Sequence, residues 1–197
     1  MTDHDRFAGL RKLPRTPVAA ILAQAGAEIE DPEGLTLDGP PERVLAELDG
    51  RGTGGIMGQI RLLSRALPAR EAVWWSCLAG RDIQPAGRAW PTLKAAEDWV
   101  FRPAEATRKA AQQAVAAARP DEETDLCARA AFLAQPTGPE AEHLRPGMVG
   151  LLVEIMVLKS LLAAVPDRFA ARGRLLVDRA LDIARGGNGM LEQTGGG

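Results

Sequence analysis

Residues 56–80 read IMGQIRLLSRALPAREAVWWSCLAG. In the first half, Ile60, Leu63 and Leu67 fall at i, i+3 and i+7, the spacing of one helix face. Pro68 removes a backbone donor, so it ends that helix, yet it suits the first turn of the next. A second helix is therefore expected over 68–80, with Glu71 in its first turn, where the helix dipole favours an acid. Two helices joined this closely form an αα-hairpin or a sharp corner. On a helical wheel over 66–81, Leu67, Trp74 and Leu78 make one stripe. Trp75 lies with Ala72 and Ala79 on another side, and Val73 with Cys77 on a third. A helix apolar on three sides is covered by several neighbours.

Working outward, the same punctuation recurs. Thr16 and Pro17 open a helix over 16–25 that carries Val18, Ile21, Leu22 and Ala25 on one face and stops at Gly26. Residues 41–48 give a short helix with Val44, Leu45 and Leu48 inward. Pro91 and Pro103 open helices over 91–100 and 103–118, and Asp121 caps one over 121–134. The last helix ends at Arg185. No stretch alternates convincingly enough for a strand. The chain is expected to be all-α, a single irregular bundle of about eight helices over 16–185. Residues 1–15 read as a flexible arm, and the glycine-rich 186–197 as a disordered tail.

Residues 147–165, GMVGLLVEIMVLKSLLAAV, come near the length of a membrane span. Glu154 and Lys159 sit inside that stretch, and each would cost roughly 2.5–3.5 kcal/mol near a bilayer centre. The central helix of a soluble bundle is expected instead.

The 197 residues carry 24 Lys+Arg and 26 Asp+Glu, a net charge of −2. That balance lacks the basic footprint of a nucleic-acid binder, so no nucleic-acid partner is expected. Only Lys12, Lys94, Lys109 and Lys159 are lysines, and tyrosine is absent. Such a bias reflects base composition of the genome more than recognition chemistry. The first fifteen residues contain no apolar run of leader length. Cys77 and Cys127 are too few for a disulfide framework, and a cytoplasmic location is expected.

The residues that could carry chemistry are sparse. Residues 51–58, RGTGGIMG, have the outline of a nucleotide loop, but no strand precedes them and no Walker lysine follows. They read as a flexible connector. His4 and His143 with the two cysteines match no standard metal spacing. Glu122, Glu123 and Asp125 open a helix, where the dipole favours them, and Glu97–Asp98 is a solvated face. The sequence thus names no catalytic residue, metal ligand or cofactor. What remains is aromatic. Arg70 stands one turn before Trp74, within reach of its indole, and Trp90 and Trp99 could extend the cluster. Adjacent tryptophans point about 100° apart. Trp74, with Leu67 and Leu78, is expected to be the more deeply buried, and Trp75, beside two alanines, to be the contact residue with Arg70.

Residues 66–77, ALPAREAVWWSC, resemble the signature of an uncharacterised bacterial family of unknown function, A-L-P-x-R-E-A-V-W-W-x-C. Leu67, Pro68, Trp74 and Cys77 are its structural residues here, and Ser76 fills its variable place. The resemblance extends to 41–45 and 179–186 and implies a small helical bacterial protein associated with secretion systems, type VI above all. It implies no catalytic assignment. The function expected is a non-enzymatic interaction or accessory protein, an adaptor or assembly factor with an unidentified protein partner. The alternatives are a small-ligand domain with a tryptophan-lined pocket, discriminated by a cavity at Trp74 or Trp75, and an enzyme, discriminated by convergent buried acids. The sequence leaves the oligomeric state open.

Overall fold

A computed structural model describes residues 6–135 and 145–191 of the chain. His4, His143 and most of the 136–146 loop lie outside these residues. Among the described residues the chain is all-α, with nine α-helices, one 3-10 turn and no strand. The helices are α1 (Val18–Ala25), α2 (Pro41–Leu48), α3 (Gly52–Ala66), α4 (Ala69–Ile83), α5 (Pro91–Phe101), α6 (Glu105–Ala116), α7 (Asp125–Leu133), α8 (Met148–Leu162) and α9 (Phe169–Arg185). They gather into two compact units. One comprises Met1–Pro68 with Ala164–Gly197, and the other Ala69–Ala163.

In the first unit, α3 packs against α1, α2 and α9. The glycines before Ile56 are not a flexible connector, because the helix already begins at Gly52. A Cβ on Gly55 would collide with the Leu48 carbonyl oxygen, and one on Gly58 would lie 2.9 Å from Leu48 Cδ2. These glycines let α2 and α3 approach more closely than side chains would allow. Helix α1 likewise starts without the expected Thr16 cap. Its free N–H groups find carbonyls instead, with Val18 N donating to Gly39 O at 3.0 Å and Ala19 N to Leu37 O at 2.9 Å. A helix start needs acceptors from somewhere, and here the following loop folds back to supply them.

The expected arm over 1–15 is anchored wherever it is described. Phe7, Leu10 and Leu13 are buried. Lys12 N donates to Ala184 O at 2.9 Å, and the Arg6 guanidinium bridges Asp49 and Asp178 at 2.5 and 2.8 Å. The charged residues Arg6, Arg11 and Lys12 and the shortness of the stretch make the segment read as a tail, although its three apolar side chains complete a core. At the other end, Gly186 takes the left-handed C-cap at φ 105°, and Gly189 N donates to Asp182 Oδ2 at 2.8 Å.

In the second unit, α4 packs against α5, α7 and α8, while α6 packs against α5 and α7. Nine consecutive residues of α4, Ala72–Gly80, are buried. Gly80 is closely enclosed. A Cβ there would lie 2.9 Å from Thr124 Cγ2 and 3.3 Å from Leu93 Cδ1. Glu122 does not serve the helix it precedes, since α7 begins only at Asp125. Its buried Oε1 accepts from Thr92 N at 2.7 Å and from Thr92 Oγ1 at 2.6 Å. Thr92 is the second residue of α5, so the carboxylate occupies the N-terminus of that helix, where free N–H groups need an acceptor.

Candidate functional site

Along α4, residues 70, 74 and 81 share one side by helical geometry. That side meets α5. The Arg70 Nε donates to the Val100 carbonyl near the end of α5 at 2.7 Å. The Trp74 indole lies against Phe101, with ring centroids 5.4 Å apart and planes tilted by 60°. Tilted aromatic pairs at this range are attractive beyond their buried area. Arg81 lies over the Trp74 ring at 5.0 Å, and its Nε donates to Glu97 Oε1 at 2.6 Å. The cation over the indole is therefore Arg81, not the expected Arg70, whose guanidinium is drawn to a helix-end carbonyl.

The order of burial of the two tryptophans is also reversed. Trp75 is 0% exposed, whereas Trp74 is 9% exposed. Ala72 and Ala79 looked like too thin a face to bury an indole. Both are themselves buried, and their small side chains leave room for the large ring between them. Trp74 lies instead at the rim, covered in part by Phe101, which is itself 65% exposed. Trp75 is thus a core residue, and the surface at this place belongs to Phe101, Arg70 and the neighbouring Arg102. Phe101 and Arg102 gave no signal in the sequence, because a phenylalanine at the last turn of an amphipathic helix reads as core.

Trp90 and Trp99 are buried as well, each with its indole N–H lacking a hydrogen-bond partner among the described residues. Leu67 is buried at the end of α3, and Pro68 is exposed. Cys77 and Cys127 are free, buried thiols. Cys127 Sγ lies 3.4 Å from the Ser76 carbonyl oxygen. Burial, with Cys127 beside it, pushes the Cys77 thiol well above the ordinary range, the opposite of what a nucleophile needs.

Helix α8 has the second set of exposed apolar side chains. Leu151, Ile155 and Leu162 are exposed, and Leu158 between them is half-buried. Spacings of four, three and four put all four on one face. Glu154 is buried on another side of the same helix, and Lys159 pairs with Glu123 at 3.2 Å. Among the described residues, no helix is long and apolar enough to cross a membrane, and no group of three or more His, Cys, Asp or Glu residues could hold a metal ion.

By its architecture, the chain is an all-α helical bundle among the described residues. Its lineage is more definite. Residues 44–184 match the model of DUF6931, a family of unknown function, and the chain belongs to that family. The matched range includes all of α4 and α8. No curated protein and no solved structure matches the chain.

Proposed function

We propose that this chain is a non-enzymatic interaction protein, an adaptor or assembly factor, and that the corner around Phe101 docks its protein partner. The observation that carries this reading is the exposure of Phe101. A phenyl ring left 65% exposed gains little from the fold, yet its orientation is held by Trp74 beneath it. Aromatic side chains presented in a fixed orientation, with arginines beside them, are the usual anchors of protein interfaces. A cytoplasmic setting and a role beside a bacterial type VI secretion apparatus are the finer form of the same proposal, resting on the family resemblance.

The test compares affinity capture by the full chain and by Phe101→Ser, with melting temperatures measured on both. A partner retained by the parent and lost by a variant of unchanged melting temperature supports the reading. Equal retention by the two proteins overturns it.

A further inference from the structure

We infer that the Phe101 corner takes an acidic segment of its partner, one with carboxylates on either side of an apolar anchor residue. This rests on the reading of the corner as the docking surface and adds the chemistry of what docks there. The argument turns on which nearby charges are already paired. Glu97 is held by Arg81 at 2.6 Å, Asp98 by Lys94 at 2.6 Å, and Glu105 by Arg108 at 2.7 Å. The acids of α5 and the start of α6 are therefore neutralised by their own cations.

Two arginines beside Phe101 are not. Arg70 gives its Nε to the Val100 carbonyl, which fixes the plane of the guanidinium and leaves its two terminal amino groups without a partner among the described residues. Arg102, exposed and adjacent to Phe101 in the chain, has no side-chain partner among the described residues. A guanidinium with free terminal donors matches the two oxygens of a carboxylate. Two such groups with an exposed phenyl ring beside them select for an acid, an apolar residue and another acid in one short stretch.

A nucleic acid would offer anionic groups too, but it would meet only two cations here. The chain as a whole carries −2, which opposes binding that depends on phosphate neutralisation.

The test uses the full chain and a fluorescein-labelled peptide of sequence Gly-Glu-Glu-Asp-Leu-Phe-Glu-Glu-Asp-Gly, read by fluorescence anisotropy. Three competitors accompany it: the same peptide with amides in place of carboxylates, the same peptide with serines in place of Leu-Phe, and an oligouridine. Expected are saturable binding, weakening by about tenfold for Arg102→Gln and for Phe101→Ala, and loss of affinity as salt is raised. The Arg102 side chain is exposed and makes no hydrogen bond or ion pair among the described residues, so that variant keeps the test valid if Arg70→Gln disturbs the end of α5.

Equal binding of the amide peptide, an unchanged affinity for Arg102→Gln, or equal competition by oligouridine overturns the inference. If Phe101→Ser loses its captured partner but the acidic peptide does not bind, the acidic chemistry is wrong and the docking surface stands. If the partner is retained by Phe101→Ser, the docking surface itself falls, whatever the peptide does.

Discussion

Helices α4 and α8 are each fifteen residues long, lie in the same unit and pack against one another. Both are apolar on several sides in sequence. Yet α4 buries nine residues in a row, while α8 buries seven and leaves Leu151, Ile155 and Leu162 exposed. The difference is in their neighbours. Among the described residues, helix α4 packs against α5, α7 and α8, and α8 packs chiefly against α4 and α7. Apolar character around a helix states what it could bury, and the number of helices that reach it decides what it does bury. Polar residues sharpen the contrast. The charged ends of α4, Arg70 and Arg81, each engage α5, whereas the exposed stripe of α8 holds four aliphatic residues and no charge.

The largest effect expected concerns the thiols at the centre of this arrangement. Cys77 and Cys127 are both buried, and the Cys77 thiol is pushed far above its ordinary value, first by burial and then by Cys127. Since the reactive species is the thiolate, labelling must wait for unfolding. A thiol reagent at mildly alkaline pH should react with the native chain on the order of a thousandfold more slowly than with the denatured chain. Raising the pH within the range the fold tolerates should change this ratio little. Rapid labelling of either cysteine in the native state would mean that α4 is not enclosed as described.

Next in size is the tryptophan pair. Trp75→Ala should cost about 3–5 kcal/mol in urea unfolding, as expected for a large ring removed from a close-packed interior. Trp74→Ala should cost less, because the lost ring lies at a rim where water and the Arg81 stem can fill part of the space. Acrylamide should quench Trp74 and leave Trp75 untouched. A larger loss for Trp74→Ala than for Trp75→Ala would reverse the assignment of core and rim.

These two helices also show what the sequence could say. Helix content, the starts at Pro41 and Pro91 and the ends at Gly26 and Gly186 were legible, since each depends on a residue and its immediate neighbours, whereas the helix expected from Pro103 begins only at Glu105. The reversal at Trp74 and Trp75 was not legible, because it depends on Phe101, twenty-seven residues beyond Trp74. The same holds for Glu122, whose partner Thr92 starts another helix, and for Gly55, whose need to be small comes from Leu48. Phe7, Leu10 and Leu13 were hidden for a different reason, as they sit in a short stretch among charged residues that no regular helix or strand carries. Of the docking corner, Arg70 and Trp74 were visible through the signature segment. Phe101 and Arg102 required the turn that brings the end of α5 beside the start of α4.

A smaller effect is expected at Gly80, where a Cβ would press on neighbouring side chains. In Gly80→Ala the new methyl would lie 2.9 Å from Thr124 Cγ2, inside normal contact. Overpacking of this kind costs about 1–3 kcal/mol. The companion Gly80→Ala/Thr124→Ser removes the opposing methyl and should recover most of that loss. Absence of recovery would place the strain at Leu93 or Cys127, the other atoms a Cβ would meet.

The smallest effect belongs to the open face of α8 and bears most directly on the comparison. Leu162 is 72% exposed, so replacing it by serine removes little buried area, and the change in unfolding free energy should stay within about 0.5 kcal/mol. Met156, one and a half turns earlier on the buried side, is fully enclosed, and Met156→Ala should cost about 2–5 kcal/mol. Measured side by side, the two variants report whether α8 has one covered side and one open side. Equal losses would mean that Leu162 is covered in solution, either within the chain or by a second copy. Repeating the unfolding at a tenfold range of protein concentrations separates those cases, since only stabilisation by a second copy varies with concentration. A near-zero change for Leu162→Ser, beside a large one for Met156→Ala, makes neighbour count the property that distinguishes α8 from α4.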